Sequence, residues 1–574
     1  MKRIYLVFLV ILISFLGGKL YSQQSNSLIV DSIFQQWGEI YFKFKVQHRS
    51  EVDSLTRIIS IDNYKGNEVF AYANRKQFDF FKTLAYHVTI LPNPGGLLKE
   101  AETHGDTLSK GIQTVGQWNF YPTYQQYVDT MLYFAATYPE ICRLDTIGAT
   151  VLGRKLIALK ISDSVNVSEA EPEFFYTSTM HGDETTGYIL MLHLADSLLR
   201  GYGISPRITD MVNKTEIFIN PLANPDGTYR TGNILNNPTR TNYNGYDLNR
   251  NFPDVGGSNT GIKQPETLAF MDYASQHNFV MSANFHGGAE VYNYPWDRWP
   301  RLTADDAWWR YTGREYADTV HKYSFSGYFT DYYNGITNGY AWYSIDGGRQ
   351  DYMNYFKHCR EVTIELSNTK FLPAASLIAY WKYNYHSLLT FIDEANYGFQ
   401  GLVTDTVTGE KLKAKVFVLS HDIQADSSFI YSKLPSGFYA RPINEGTYSV
   451  VFSAPGYFPK TVNNVTVAKH STFYLDVQLR PLTFGISEKV VRAPLVYPNP
   501  NKGQFRIILP LKDKGEWKIE VVDQMGRKAF SQTIQSDLAL TSSEFVLDHL
   551  PSGIYLMLLS KEGKIFRDKF MIQK

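Results

Sequence analysis

Along this chain the spacing of apolar residues changes character several times, and each change marks an expected unit. The first unit opens with Lys2-Arg3, runs through an almost wholly apolar Ile4 to Leu16, and closes at Leu20-Tyr21-Ser22 before the polar Gln23. That order predicts a secretory signal peptide over residues 1–22, too short and too poorly flanked for a membrane span. No later apolar run approaches the roughly 20 residues a span needs, so no transmembrane segment is expected in the mature chain. Residues 23–115 read as an α+β domain. Alternation predicts strands at Glu39–Val46, Glu68–Ala73 and His87–Leu91, and helical spacing covers Glu51–Ile59 and Lys76–Ala85. Pro92-Asn93-Pro94-Gly95-Gly96 ends the last strand, and the polar stretch Lys99 to Lys110 reads as an exposed linker.

From Tyr121 the pattern turns to α/β, and residues 116–397 are assigned to one domain. Helices are expected at Tyr124–Tyr138, Tyr188–Leu199 and around Pro373–Tyr397. Strands are expected at Arg143–Ile147, Lys155–Ile161, Glu173–Met180, Glu216–Asn220, Phe279–Phe285 and Arg360–Leu366. Strands alternating with helices imply a mixed, mostly parallel sheet covered on both faces. Residues 398–481 read as all-β, a small sandwich opened by Gly401-Leu402-Val403-Thr404-Asp405. A linker is expected over 482–494. A second β-sandwich is expected over 495–574, with strands at Gln504–Leu509, Trp517–Val522 and Gly553–Leu559.

Composition narrows the class. The 574 residues suggest three or four domains at about 150 residues each. With 44% hydrophobic and 20% charged residues, the chain can bury several cores. Lys+Arg and Asp+Glu both number 56, and this zero formal charge argues against nucleic acid or an anionic surface as the main partner. Only two cysteines occur, Cys142 and Cys359, which excludes a disulfide framework and any Cys-rich metal site. Those two could pair in an oxidising compartment or stay free.

Chemistry gathers at strand ends. Glu173–Met180 runs into His181-Gly182-Asp183-Glu184, Phe279–Phe285 runs into His286-Gly287-Gly288, and Arg360–Leu366 carries Glu365 near its end. In open α/β sheets the functional crevice lies outside the carboxyl ends of strands. His181 and Glu184, three apart in a Gly-containing turn, can converge on one ion, and His286 can supply a third ligand from another strand. A catalytic zinc takes three protein ligands and keeps an open position.

Further stretches carry a family resemblance. They are Asn224-Pro-Asp-Gly227, Tyr246-Asp-Leu-Asn-Arg-Asn-Phe-Pro-Asp254, Ser282-Ala-Asn-Phe-His-Gly-Gly288, Asn338-Gly-Tyr-Ala-Trp-Tyr-Ser-Ile-Asp-Gly-Gly-Arg-Gln-Asp351 and Cys359-Arg-Glu-Val-Thr-Ile-Glu-Leu-Ser367. With His181-Gly-Asp-Glu184 they make residues 121 to about 395 resemble the zinc metallocarboxypeptidases of the carboxypeptidase A family, closest to its N/E/D branch. The resemblance implies one zinc per chain, held by His181, Glu184 and His286, and a carboxypeptidase fold. It implies that Glu365 takes a proton from the attacking water and returns it to the leaving amine. It also implies that Arg240 holds the developing oxyanion, that Asn249 and Arg250 clamp a substrate carboxylate, and that Tyr343 caps the substrate. Glu361 shares a strand face with Glu365 but is expected to be structural.

Gln350 and Asp297 match the positions that select C-terminal Lys or Arg in that branch. Arg349 departs from the branch pattern and Arg298 adjoins Asp297, so either cation could neutralise the pocket. The expected activity is therefore a secreted or cell-surface zinc carboxypeptidase acting on peptide and protein C-termini, with a preference for Lys/Arg. A zinc N-acyl amino acid deacylase, a peptidoglycan peptide hydrolase and a catalytically dead surface-binding protein are the alternatives. The first domain resembles the pro-segments of some secreted peptidases, with a permanent accessory domain as the alternative. Residues 398–481 resemble a transthyretin-like domain. Val496-Tyr497-Pro498-Asn499-Pro500, Gly526-Arg527, Gly553-Ile554-Tyr555 and the Lys-ended terminus resemble the sorting domain of type IX secretion cargo. That likeness implies the type IX machinery as a partner.

Overall fold

The computed structural model describes residues 28–96, 118–258, 261–482, 495–508, 515–536, 542–561 and 564–574. The expected signal peptide, the Lys99 to Lys110 stretch and residues 483–494 of the second linker lie outside these. Two units are distinct, 1–481 and 482–574.

The larger unit is built on an eight-stranded sheet. Its strands are β5 (Cys142–Ala149), β6 (Lys155–Ile161), β7 (Glu173–Ser178), β8 (Glu216–Asn220), β9 (Phe279–His286), β10 (Ala289–Tyr294), β11 (Ile336–Asn338) and β12 (Arg360–Ser367). The spatial order is β11-β10-β12-β9-β7-β8-β6-β5. The central run β12-β9-β7-β8 is parallel, and antiparallel pairs flank it at β10·β12, β6·β8 and β5·β6. This is the expected mixed α/β fold. Every residue of β7, β8 and β9 is buried, which is why these strands are rich in apolar residues on both faces. Alternate residues of β6 enter different cores. Ile157 and Leu159 pack toward the buried helix Thr186–Gly201, while Leu156 and Ala158 pack with Phe270 and Tyr273 of the helix Pro265–Gln276.

The helix Tyr124–Thr137 starts at a capping box: Thr123 accepts from the Gln126 amide and Gln126 reaches back to the Thr123 amide. Among the elements that go unpredicted, Ser60–Lys65, β10 and the 18-residue helix Asp306–Tyr323 lack a clear hydrophobic rhythm. The two cysteines are buried and unpaired.

Ahead of the sheet stands an antiparallel four-stranded sheet of order β2-β3-β1-β4, formed by β1 (Ile40–Lys45), β2 (Ser60–Lys65), β3 (Glu68–Ala73) and β4 (Thr89–Leu91). Its aromatic core of Phe42, Phe44, Phe78 and Phe81 is continuous with Trp342, Tyr343 and Ile345 of the larger domain. β2 is therefore an edge strand laid against the larger sheet's functional edge.

Residues 398–481 form two four-stranded sheets around Phe399, Val416, Tyr439 and Phe452. A buried charge network fastens this module. Arg441 Nη2 lies 2.9 Å from Asp305 Oδ1 and 2.7 Å from Asp422 Oδ1, and Arg360 Nη2 lies 3.1 Å from Asp305 Oδ2. Each buried charge has an opposite partner, which offsets its desolvation. The separate unit at the C-terminus has sheets of three and four strands around Phe505, Trp517, Met557 and Phe570.

Candidate active site and metal centre

Parallel β7 and β9 lie side by side, so the turns that leave them meet. His181 and Glu184 come from the turn after β7, and His286 closes β9. Three ligand atoms converge: His181 Nδ1 to Glu184 Oε2 is 2.9 Å, His286 Nδ1 to Glu184 Oε2 is 2.9 Å, and the two Nδ1 atoms are 3.0 Å apart. Two imidazole nitrogens and one carboxylate oxygen facing one another cannot all be paired by protons, whereas one cation satisfies all three. The opposite ring nitrogens are fixed from behind, His181 Nε2 on Asp247 Oδ1 at 3.0 Å and His286 Nε2 on Asn284 Oδ1 at 2.5 Å. Such outer partners orient metal-binding histidines. Burial pushes His286 down to about 4, so its ring is neutral and available as a ligand. Gly182 is required at this turn: a Cβ there would lie 2.4 Å from the Gly227 carbonyl carbon of the Asn224-Pro-Asp-Gly turn.

Glu365 on β12 stands directly across from His286 on β9. Its Oε2 is buried without a hydrogen-bond partner, and burial, followed by the nearby Glu184, raises its carboxyl well above the usual range. Arg240 is 3% exposed and bridges the centre, with Nη1 3.1 Å from Glu184 Oε1 and Nε 3.1 Å from Asp247 Oδ2.

Asn249, Arg250, Asp297, Tyr343 and Glu365 line the same cavity as the metal group. Burial lifts the Tyr343 phenol to about 12, which keeps it a neutral donor. Asp297 is held by Asn293 Nδ2 at 3.1 Å and Gln350 Nε2 at 3.0 Å, while Gln350 Oε1 accepts the Thr363 amide at 2.7 Å. Gly339 leaves room for it, since a Cβ there would fall 1.8 Å from Asp297 Oδ1. Neither cation that could neutralise Asp297 pairs with it. Arg349 turns away to Glu361 at 3.2 Å and packs between Phe175 and Phe270, and Arg298 pairs with Asp346 at 3.0 Å.

The strand β2 reaches the cavity through Asp62 and its neighbouring carbonyls. Arg250 Nη2 donates to the Ile61 carbonyl at 2.7 Å, the Tyr343 hydroxyl to the Asp62 carbonyl at 3.4 Å, and the Asp62 carboxylate meets Arg240 at 3.1 Å and Lys370 at 2.6 Å. The space remaining is about 20 Å³, about one water. Asp62, Asp247, Asn284 and Lys370 were not singled out from sequence. Asp247 and Asn284 sit inside the quoted motifs and so were within reach, whereas Asp62 and Lys370 enter through tertiary packing alone.

Three potential metal ligands thus meet at adjacent parallel strand ends, and residues 127–387 match the zinc carboxypeptidase family. The chain belongs to that family. It is 40% identical over 345 residues to carboxypeptidase D of Anas platyrhynchos, covering 57% of this chain and 24% of that protein. It is 37% identical over 338 residues to mouse carboxypeptidase M (56% and 75% covered) and 36% identical over 399 residues to the human carboxypeptidase N catalytic chain (62% and 85%). The chain thus spans about a quarter of the carboxypeptidase D proteins it matches. Residues 495–573 match the secretion system C-terminal sorting domain, which marks the chain for type IX export to the surface or extracellular space. Among the described residues no helix is long and apolar enough to cross a membrane.

Because Asp247 orients His181, the Asp247→Asn variant is expected to weaken zinc binding about 10–100-fold, read by competition with a chelating dye. Unchanged affinity would remove Asp247 from the metal's support.

Proposed function

We propose that the protein is an exported zinc carboxypeptidase that hydrolyses the C-terminal peptide bond of peptides and proteins, prefers C-terminal Lys or Arg, and carries residues 23–115 as a pro-segment. The observation that carries this reading is one cavity that combines the three-atom metal group, the unpartnered Glu365 and the Arg250–Asn249 pair. An exopeptidase must recognise a free α-carboxylate, and Arg offers two parallel donors for it. Zinc held by His181, Glu184 and His286 would polarise the scissile carbonyl and acidify the attacking water.

The remaining work falls to the chain's own side chains. Glu365 has a free, high-affinity carboxylate oxygen for a proton, so it can accept one from water and pass it to the leaving amine. Arg240 is already fixed by Asp247 and directs a guanidinium N–H toward the centre, where negative charge develops on the carbonyl oxygen. Tyr343 closes over the bound end of the substrate. Asp297, free of Arg349 and Arg298, offers a carboxylate to a cationic last side chain. The pro-segment reading is supported by β2, whose carbonyls take the donors of the clamp and whose Asp62 takes the cations of the centre. The sorting domain supports passage through the type IX machinery as the route of export.

Release of C-terminal Arg or Lys should be lost on chelation and restored by zinc. Glu365→Gln should cut kcat by about 10²–10⁴-fold while zinc content stays at wild type. Full turnover by that variant would overturn the assignment. For selectivity, Asp297→Asn should lower kcat/KM for a C-terminal Arg peptide relative to a C-terminal Phe peptide by about 10–100-fold. Burial lifts the Asp297 carboxyl to about 6. Protonation removes its charge, so the same ratio in the unmutated enzyme should fall as the pH drops through about 6. A ratio independent of both the substitution and pH would exclude Asp297 as the selector.

A further inference from the structure

A second cluster of side chains able to ligate a metal lies outside the catalytic cavity, where residues 398–481 meet the helices of the larger domain. Glu315 projects from the helix Asp306–Tyr323, Glu394 follows the helix Leu377–Asp393, and His470 sits in the turn after the strand Lys460–Val467. One ligand atom from each lies within 4.8 Å of the others. His470 Nε2 is 2.8 Å from Glu315 Oε1 and 3.8 Å from Glu394 Oε1, and the Tyr311 hydroxyl also contacts that nitrogen.

The cluster is more than an ion pair. Glu394 is 2% exposed, and its Oε1, aimed at His470, has no hydrogen-bond partner; Glu315 Oε2 is likewise buried and unpartnered. One ring nitrogen cannot serve two carboxylates at once, and the Tyr311 hydroxyl donates to Glu315 Oε1 at 3.3 Å. Burial and the neighbouring Glu315 raise the Glu394 carboxyl well above its usual range, as expected of two adjacent carboxylates, and Lys469, which lies over the Tyr311 ring at 4.9 Å, offsets this only in part.

We propose that Glu315, Glu394 and His470 form a second divalent-metal site that takes zinc and ties residues 398–481 to the catalytic domain. An imidazole nitrogen among the ligands favours zinc over calcium or magnesium, which prefer all-oxygen shells. Two carboxylate oxygens and one nitrogen supply the usual zinc donors, and a fourth position is open for water or the Tyr311 oxygen. Both carboxylates would then be compensated, and the metal would bridge two helices of one domain to a turn of the next. The proposal is independent of catalytic turnover.

The test is zinc stoichiometry of the full chain, loaded with zinc alone, freed of excess by dialysis and measured by mass spectrometry. Unmutated protein should retain two zinc ions per chain. His470→Ala and Glu394→Gln should each retain one, and so should the double variant His181→Ala/His286→Ala. Glu394→Gln keeps the side-chain volume, and its far-UV circular dichroism verifies folding should His470→Ala fail to fold. One zinc in the unmutated chain, or two retained by folded Glu394→Gln, would overturn the site.

Discussion

The buried guanidinium of Arg240 sets the charge balance on which the candidate metal edge of the sheet depends. It touches three carboxylates: Glu184, which belongs to the metal group, Asp247, which orients His181, and Asp62, which arrives on the edge strand β2. A guanidinium removed from water has to be compensated, and carboxylates this close and this buried cannot all stay ionised without a cation. The metal group, its support and the N-terminal domain are therefore tied to one residue. The same contacts explain how an α+β domain with its own aromatic core comes to rest on the edge of a different sheet.

The surroundings of Asp297 show the same economy of charge. Arg349 follows Gly348 and begins a helix whose next residue, Gln350, holds Asp297, so from sequence it could have neutralised that carboxylate. It is taken up elsewhere. Arg349 pairs with Glu361 and is sandwiched between Phe175 and Phe270, while Arg298 is drawn to Asp254 and Asp346. Asp297 is left with neutral amide donors. Glu361 thus has a partner of its own, and its spacing from Glu365 reflects the two-residue period of a strand.

The convergence of His181, His286 and Glu365 was legible in the sequence because β7, β9 and β12 read as buried strands. His181 and His286 stand at or just past the carboxyl ends of β7 and β9 and Glu365 lies near the end of β12, and parallel pairing of such strands brings those ends together. What escaped depends on contacts distant in sequence. Ser60-Ile61-Asp62-Asn63 has no clean alternation, since β2 buries only its first residues and borrows the rest of its setting from the opposing domain. Lys370 lies five residues past Glu365, beyond the strand, where no periodicity reports its direction. The helix Asp306–Tyr323 mixes Trp, Tyr and charge because one side packs on the core while Arg310 and Arg314 form ion pairs at the surface. Local pattern could not distinguish that from a loop.

The central claim is that a zinc carboxypeptidase site is complete here and that β2 stands in its substrate path. The most direct measurement compares kcat/KM on a peptide ending in Arg for the intact, zinc-loaded chain and for the same chain cut between residues 96 and 118 with the N-terminal part removed. The account predicts at least a tenfold rise on removal, with the released activity abolished by chelation. Equal activity in the two forms, or none in either, would contradict it.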